Sequence, residues 1–257
     1  MKKFLTILAA AALLLPACKR GISTENYRTT VSYPLEEGLE KPSLTVDISV
    51  DYPVGGLQDS VLTKMTSNIL ISVLELESEP SDVKSTVDGF VEDLQENFRD
   101  ENLEFWKTDK EKLTEDQIND FYCWEYFVNC YFGERWKDYV SYENEFYTYS
   151  GGAHGMQGLI PVVFSTVTGD IVTEADIFSE GYEEPLVESL RKHLEDAFVD
   201  NAEDFECVFN KEIEPNGCFE VGKAGITYYY QPYEIAPYYI GVISVTVPWS
   251  ELKGYIR

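Results

Sequence analysis

The residues best suited to chemistry lie in the segment Tyr149-Ser-Gly-Gly-Ala-His-Gly155, which carries one of the two histidines in the chain. A histidine presented on a tight glycine turn can act as a general base or, together with two carboxylates, as a metal ligand. The glycines Gly151, Gly152 and Gly155 indicate a positive φ or a contact too close for a Cβ. Because turn glycines need no catalytic reason, we favour a structural interpretation, in which the His154 ring bonds nearby backbone groups.

The remaining candidates do not assemble into a known catalytic pattern. His193 lies at the edge of an apolar helical stripe and is expected at the surface or at a boundary. Glu234 lies between tyrosines and prolines, where a carboxylate could support hydrolysis or could cap backbone amides. The sequence contains no HExxH, GxSxG, GxxxxGK or GxGxxG-plus-acid motif. Among 46 acidic residues no glycosidase-type pair stands out. The sequence therefore predicts no enzyme, no cofactor and no metal site.

Five cysteines are present, and four of them follow the first fifty residues: Cys123, Cys130, Cys207 and Cys218. Cys123 and Cys130 would face opposite sides of one regular strand and could not form a disulfide there. Cys207 and Cys218 flank a hairpin-like segment with Pro215-Asn-Gly217, so the spacing favours a 207–218 bridge. In the alternative interpretation all four cysteines are small buried apolar residues.

The first residues have the features of a processed leader. Lys2 and Lys3 precede the apolar core Phe4–Leu15, which is short for a permanent membrane span. The core leads into Leu-Pro-Ala-Cys18, which resembles a lipobox. We therefore expect residues 1–17 to be a lipoprotein signal peptide, Cys18 to carry the lipid, and residues 18–26 to form a tether. Such a protein would be anchored to a bacterial envelope membrane on its extracytoplasmic side.

The charge and the hydrophobic content of the chain limit the classes of partner that the protein can bind. The formal net charge is −26, and loss of Lys2 and Lys3 with the leader takes it to −28. So acidic a surface repels nucleic acid and attracts cationic partners at low salt. Hydrophobic residues make up 44% of the chain, which is enough to exclude wholesale disorder. The length fits one large domain or two modest ones.

The hydrophobic pattern predicts an α+β fold, with antiparallel sheets covered by helices. Alternation along Leu44, Val46, Ile48 and Val50 indicates a strand with one buried face. The other predicted strands are 27–33, 119–132, 136–149, 159–167, 226–230 and 240–248. Three helices are predicted: one with an apolar stripe from Val61 to Leu76, a second after Asp82 and a third over 183–199. The charged stretch 93–112 is expected to be a solvated helix end and loop.

Three segments together resemble a known family. They are the Tyr149–Gly155 motif, the strand-turn-helix pattern of 164–178, and 225–238 with its continuation Val-Thr-Val-Pro-Trp-Ser-Glu-Leu252. In this order, over about 136–255, they resemble the extracytoplasmic RsiV/PdaC-like domain. The resemblance implies a PdaC-like region at 27–135 and an RsiV-like domain at 136–257. It also implies a set of structural or binding positions: Tyr149, Gly151, Gly152, His154, Tyr233, Glu234 and Tyr238.

The resemblance also suggests what the protein binds. In anti-sigma factors of the sigma-V type the extracellular portion recognises lysozyme, so the leading hypothesis is recognition of a cationic protein. This chain shows neither a transmembrane nor a sigma-binding segment, so we expect a decoy, an inhibitor or an accessory lipoprotein. The second hypothesis is a peptidoglycan or glycan contact module, as in deacetylase relatives. The third is a hydrolase that uses Glu234 or His154.

Overall fold

A computed structural model describes residues 21–257 and shows an α+β fold built on two β-sheets. The strands are β1 (Ser23–Pro34), β2 (Ser43–Gly55), β3 (Trp124–Trp136), β4 (Tyr139–Tyr149), β5 (Met156–Leu159), β6 (Val162–Ser165), β7 (Phe219–Val221), β8 (Gly225–Tyr230) and β9 (Ile243–Pro248). The helices are α1 (Asp59–Leu74), α2 (Val83–Asp109), α3 (Glu115–Tyr122), α4 (Glu174–Ile177), α5 (Glu183–His193) and α6 (Ala202–Phe205). The larger sheet has the order β1-β2-β3-β4-β5 with β6 beside β4, and the smaller one has the order β7-β8-β9.

The predicted leader and the lipidation site Cys18 lie outside the described residues, so both stay predictions. The tether was expected to reach Asn26, but β1 already begins at Ser23. Between residues 21 and 257 no helix combines the length and the apolar character needed to cross a membrane.

The larger sheet is antiparallel except at its centre. β2 and β3 run parallel, with Leu44 opposite Trp124 and Val50 opposite Cys130. A parallel pair needs a long crossover, and here the crossover consists of α1, α2 and α3. The predicted antiparallel sheets are confirmed at the other described strand pairs, and this pair is the exception. The predicted alternation in β2 is confirmed, because Leu44, Val46, Ile48 and Val50 are all buried in the core beneath the helices.

The second helix is longer than the sequence suggested. α2 begins after Asp82, whose carboxylate accepts a hydrogen bond from the Ser85 amide at 3.0 Å. It continues to Asp109, through the stretch predicted to be a solvated end and loop. Phe98 and Trp106 extend its buried face, and the charged residues between them occupy the exposed side. The many charged residues of this stretch make its apolar stripe difficult to recognise in the sequence.

Three other boundaries also differ from the prediction. The segment expected to start a strand at Asn119 instead forms α3, which Thr114 initiates with a capping box to Gln117. The strand predicted over 159–167 is split into β5 and β6, because Ile160 and Pro161 interrupt it. The helix predicted over 183–199 ends at His193 and continues as a 3₁₀ turn.

The smaller sheet has its own core and joins the larger one through β4. Ser141 on β4 is fully buried, and its hydroxyl bonds the backbone of Val221 on β7. The indole rings of Trp136 and Trp249 stack with centroids 3.9 Å apart. The domain boundary expected near residue 135 is therefore wrong, because it cuts the β3–β4 hairpin of one continuous sheet.

Candidate functional site

The glycine motif follows β4 and packs on the C-terminal part of α3. Gly151 has φ +92°, and a Cβ there would lie 3.1 Å from the Phe121 carbonyl oxygen. Gly152 has φ +106°, and its amide donates to the Asp120 carbonyl at 2.9 Å. The Tyr149 hydroxyl lies within hydrogen-bond distance of that same carbonyl, at 2.8 Å. The motif is thus tied to the end of α3 through backbone groups, which is why glycines occur at these positions.

His154 connects this motif to the loop after β8. Its Nδ1 lies 2.9 Å from the Gly155 carbonyl oxygen, so Nδ1 carries a proton and donates. Its Nε2 lies 3.2 Å from the Tyr233 hydroxyl, which donates to it when the ring is neutral. The ring stacks on Tyr238 at a centroid distance of 4.1 Å, and the Tyr238 hydroxyl donates to the Gly155 carbonyl at 2.8 Å. We call His154, Gly155, Tyr233 and Tyr238 the histidine latch.

Glu234 lies in the same loop and accepts hydrogen bonds from it. One carboxylate oxygen accepts from the Gln231 amide at 2.7 Å, and the other accepts from the Asn216 side chain at 2.8 Å. The neighbouring Tyr233 adopts φ 71°, a left-handed conformation unusual for a tyrosine. These contacts give Glu234 the loop-capping role that was one of the two alternatives considered for it.

A polar and aromatic surface lies next to the latch on the larger sheet. Even-numbered residues of β2 and β3 point into the core, whereas odd-numbered ones point to the side that α1 and α2 leave uncovered. Cross-strand pairing aligns them in three rows: Thr45–Glu125–Tyr149, Asp47–Phe127–Tyr147 and Ser49–Asn129–Glu145. We call these nine residues the open face.

Two depressions on the open face meet at Tyr147. One, of about 320 Å³, is lined by residues that include Arg28, Asp47, Phe127 and Glu145. The other, of about 410 Å³, runs from Glu125 past Tyr147 to His154. The rings of Phe127 and Tyr147 stack with centroids 6.0 Å apart. The two depressions share Tyr147, and the second reaches His154 and Gly155 of the histidine latch. We refer to the two depressions together as the groove.

The electrostatics of the groove favour a positively charged ligand. Arg28 donates two hydrogen bonds to Asp47, at 2.9 and 2.6 Å, and this guanidinium holds the pKa of Asp47 below its usual range. Glu125 and Glu145 have no salt-bridge partner among residues 21–257. Glu145 accepts a hydrogen bond from the Tyr131 hydroxyl at 2.8 Å, and Lys41, which lines the same depression as Glu125, donates to Asn119. Aromatic rings beside carboxylates that form no salt bridge are suited to bind ammonium and guanidinium groups.

A protonatable pair lies on the smaller sheet, near the carboxylates of Glu134 and Glu143 on the larger one. Half-burial raises the pKa of the Glu220 carboxyl, and the nearby Glu143 and Glu134 carboxylates add to the effect. The Tyr229 hydroxyl donates to Glu220 at 2.6 Å, and burial together with this carboxylate raises the pKa of Tyr229. The arrangement holds both groups in their neutral forms more readily than water would. It does not activate a nucleophile.

The predicted disulfide is absent, since Cys207 and Cys218 are both free thiols. Cys218 is half-buried, with its Sγ 3.8 Å from the Leu159 carbonyl and 3.6 Å from the Gln231 amide nitrogen. Burial raises the pKa of the Cys218 thiol to about 11. Cys207 is exposed in the turn after α6, near the side chain of Tyr239. The two flank a long excursion through Ile213, which is buried, and not a regular hairpin.

His193 belongs to a different network from His154. Its Nδ1 lies 2.7 Å from Asp196, and its Nε2 lies 3.0 Å from Glu251. Burial opposes a charged ring, but the two carboxylates outweigh it and raise the pKa of His193. Within residues 21–257 no cluster of three histidine, cysteine or acidic side chains could hold a metal ion.

The sequence pointed to the latch but not to the open face. The structure brings His154 into contact with Tyr233 and Tyr238, and Tyr149 into contact with Gly152. The open face combines residues about eighty positions apart, such as Asp47 and Phe127, whose proximity depends on the parallel β2–β3 pairing. The only available signal was the polar alternation along β2 and β4.

Comparison with known proteins finds similarity only to proteins whose function is unknown. A sequence model described as "Protein of unknown function (DUF3298)" matches residues 175–250, which extend from α4 to the end of β9. No curated protein matches the chain. A crystal structure of a DUF3298 family member from Bacteroides fragilis has a TM-score of 0.82 at 20% identity, covering 93% of this chain and 95% of that one.

A second solved structure extends the comparison. A DUF3298 family protein from Pseudomonas aeruginosa has a TM-score of 0.64 at 15% identity, covering 93% of this chain and 96% of that one. At these identities the likeness concerns the fold alone. The chain therefore has a DUF3298 sequence match in its C-terminal part and shares the fold of solved DUF3298 proteins over almost its whole length.

Proposed function

We propose that the protein is a non-catalytic, lipid-anchored binding protein of the bacterial cell envelope that recognises a cationic protein through its open face. The observation that carries the proposal is the groove in which the stacked Phe127 and Tyr147 rings lie beside the carboxylates Glu125 and Glu145. Basic side chains of a partner would place their cationic groups over the rings and next to the carboxylates.

Two further observations support this choice of partner. The chain as a whole carries a formal charge of −26, which would steer a basic protein toward it at low ionic strength. The latch motif resembles that of extracytoplasmic domains that recognise lysozyme, a strongly basic enzyme. The latch itself is occupied by internal hydrogen bonds, and Glu234 caps its own loop, so neither is arranged as a catalytic base.

Lysozyme binding is the direct test, with the chain from residue 19 onward, which keeps every described residue. We expect saturable one-to-one binding by calorimetry that persists at about 0.15 M salt. The double variant Glu125→Gln, Glu145→Gln should weaken binding at least about ten-fold, equivalent to about 1.4 kcal/mol. Phe127→Ala should weaken it further without changing the net charge.

A matched control separates site-specific recognition from general charge attraction. Glu92 and Glu96 are exposed on α2, away from the open face, and their double change to glutamine removes the same two charges. We expect this control to bind lysozyme within about two-fold of the parent chain, a difference of a few tenths of a kcal/mol. Equal losses in both double variants, or binding that disappears at physiological salt, would reject a specific cationic-protein site.

A glycan is the second candidate ligand, and one observation favours it. Sugar rings stack on aromatic faces, and the Phe127–Tyr147 pair lies beside the polar side chains of Ser49 and Asn129. Co-sedimentation with purified peptidoglycan sacculi distinguishes the candidates, because binding to a glycan should be insensitive to the Glu→Gln changes. Loss of sedimentation in Phe127→Ala alone would favour the glycan over the basic protein.

A further inference from the structure

The outer strand of the larger sheet has an unpaired edge. β1 runs for twelve residues and pairs only with β2. Among residues 21–257 no group outside β2 makes a hydrogen bond to the β1 backbone. The outward-pointing N–H and C=O groups of β1 are therefore available to another strand along its whole length.

The outer edge of β7, unlike that of β1, has hydrogen-bond partners for its backbone groups. At β7 the Ser141 hydroxyl bonds both the N–H and the C=O of Val221, at 2.8 and 3.0 Å. β1 also lacks the usual protection of an edge strand, since proline occurs only at its last residue, Pro34. Arg28 is the one basic residue of β1, and its side chain bonds Asp47 on β2, so it does not block pairing at the outer edge.

A groove on the helix side offers space for side chains of an added strand. In a paired strand, the residue opposite Tyr27 would lie on the same face of the sheet, about 5 Å away. There Tyr27 forms one wall of a groove of about 490 Å³, whose apolar lining includes Leu62, Leu70 and Val83. An apolar side chain at that position of the incoming strand would therefore lie against Tyr27, at the border of this groove.

The charges around the β1 edge favour a partner of positive charge. Both basic side chains beside it are engaged, in the ion pairs Arg28–Asp47 and Lys84–Asp88. Three nearby carboxylates have no basic partner within the described part of the chain: Glu25, Glu79 and Asp82. The surroundings of β1 thus carry an excess of negative charge, which opposes pairing with a second copy of this acidic chain.

We propose that β1 docks an extended, positively charged polypeptide segment of a partner by strand addition, with an apolar side chain opposite Tyr27 at the border of the helix-side groove. Main-chain hydrogen bonds to β1 supply affinity, and the helix-side groove and the carboxylates supply selectivity. The β1 main chain and the helix-side groove lie apart from the nine residues of the open face, with Arg28 of β1 the one side chain that also lines the open-face groove. This site therefore does not depend on the function proposed above.

Hydrogen exchange with a defined probe tests the proposal on the chain from residue 19 onward. The probe is a capped nine-residue peptide of alternating lysine and valine, and the control is the same peptide with every backbone amide N-methylated. We expect the first peptide to slow amide exchange in residues 23–34 and the methylated one to bind at least about ten-fold more weakly. A glutamate–valine peptide should not bind.

Two proline variants test the edge from the side of the protein. Thr29 and Thr30 are adjacent, so their N–H groups point to opposite edges of β1. One of Thr29→Pro and Thr30→Pro must break the β1–β2 ladder and lower stability, and the other must leave the ladder intact. We expect the variant that keeps wild-type stability to lose peptide binding at least about ten-fold.

Three results would overturn the proposal. The first is peptide binding without protection of residues 23–34, and the second is equal binding of the N-methylated peptide. The third is concentration-dependent dimerisation that itself protects residues 23–34, which would assign the edge to a second copy of the chain. Protection confined to β1, lost in the stable proline variant, would establish the site.

Discussion

One buried hydroxyl group makes two of the hydrogen bonds that join the two sheets. Ser141 is fully buried on β4, and its Oγ both accepts from the Val221 N–H and donates to the Val221 C=O. Val221 is itself fully buried, so water cannot replace either bond. In Ser141→Ala both backbone groups lose their partner, while the change in side-chain volume is small.

The expected loss follows from those two groups. Leaving one buried polar group unsatisfied costs about 1–3 kcal/mol, so the loss of both partners in Ser141→Ala should lower the free energy of unfolding by about 2–6 kcal/mol. Urea denaturation at pH 7 measures the change. A loss of this size would be a large part of the stability of a typical domain.

Ser244→Ala is the matched control, because Ser244 also lies in a strand, β9, but is exposed. We expect that variant to stay within about 0.5 kcal/mol of the parent chain. If Ser141→Ala cost less than about 1 kcal/mol, the two bonds would not join the sheets as described. A similar loss in both variants would indicate a general effect of strand serines instead.

Three further changes test separate parts of the structure. Burial opposes a charged His193 ring, but hydrogen bonds to Asp196 and Glu251 outweigh it and raise the pKa of His193. The charged ring therefore stabilises the fold below its unfolded pKa, and His193→Gln should cost more stability at pH 5.5 than at pH 9. Because Glu220 has a raised pKa, its ionised form opposes folding, and Glu220→Gln should raise the melting temperature at pH 8 but not at pH 4. A Cβ on Gly155 would lie 2.5 Å from the Tyr147 ring, so Gly155→Ala should displace that ring, lower stability and weaken open-face binding.

Each of these has an outcome that contradicts it. A pH-independent cost in His193→Gln would mean that packing, and not charge, holds the ring. For the Glu220 change, Glu92→Gln on exposed α2 is the control, and an equal gain in both would indicate only a lower net charge. For Gly155, the control is Gly254→Ala, where an added Cβ meets no atom within 4 Å. Equal melting temperatures in the two alanine variants would contradict the close approach.

Much of the fold could be predicted because it depends on local periodicity. The alternation in β2 and the apolar stripe of α1 each describe one element, and both are confirmed. α3 was missed because its aromatic residues, among them Phe121 and Tyr122, also suit a strand, and only the capping box at Thr114 distinguishes the helix. The direction of β2–β3 pairing could not be predicted, because it depends on how three intervening helices pack.

The same distinction explains the site. The residue types of the glycine motif were recognisable because they are contiguous, and their roles became clear only from the Tyr233 and Tyr238 contacts some eighty residues later. The Gly155 carbonyl accepts hydrogen bonds from both His154 and Tyr238. The Nδ1–H group of His154, which the sequence offered as a candidate for catalysis, therefore stabilises a loop. That loop fixes one end of the groove on the open face, so a motif without catalytic geometry can still be needed for binding. A short motif that contains histidine and tyrosine therefore indicates the position of a site more reliably than it indicates the function of that site.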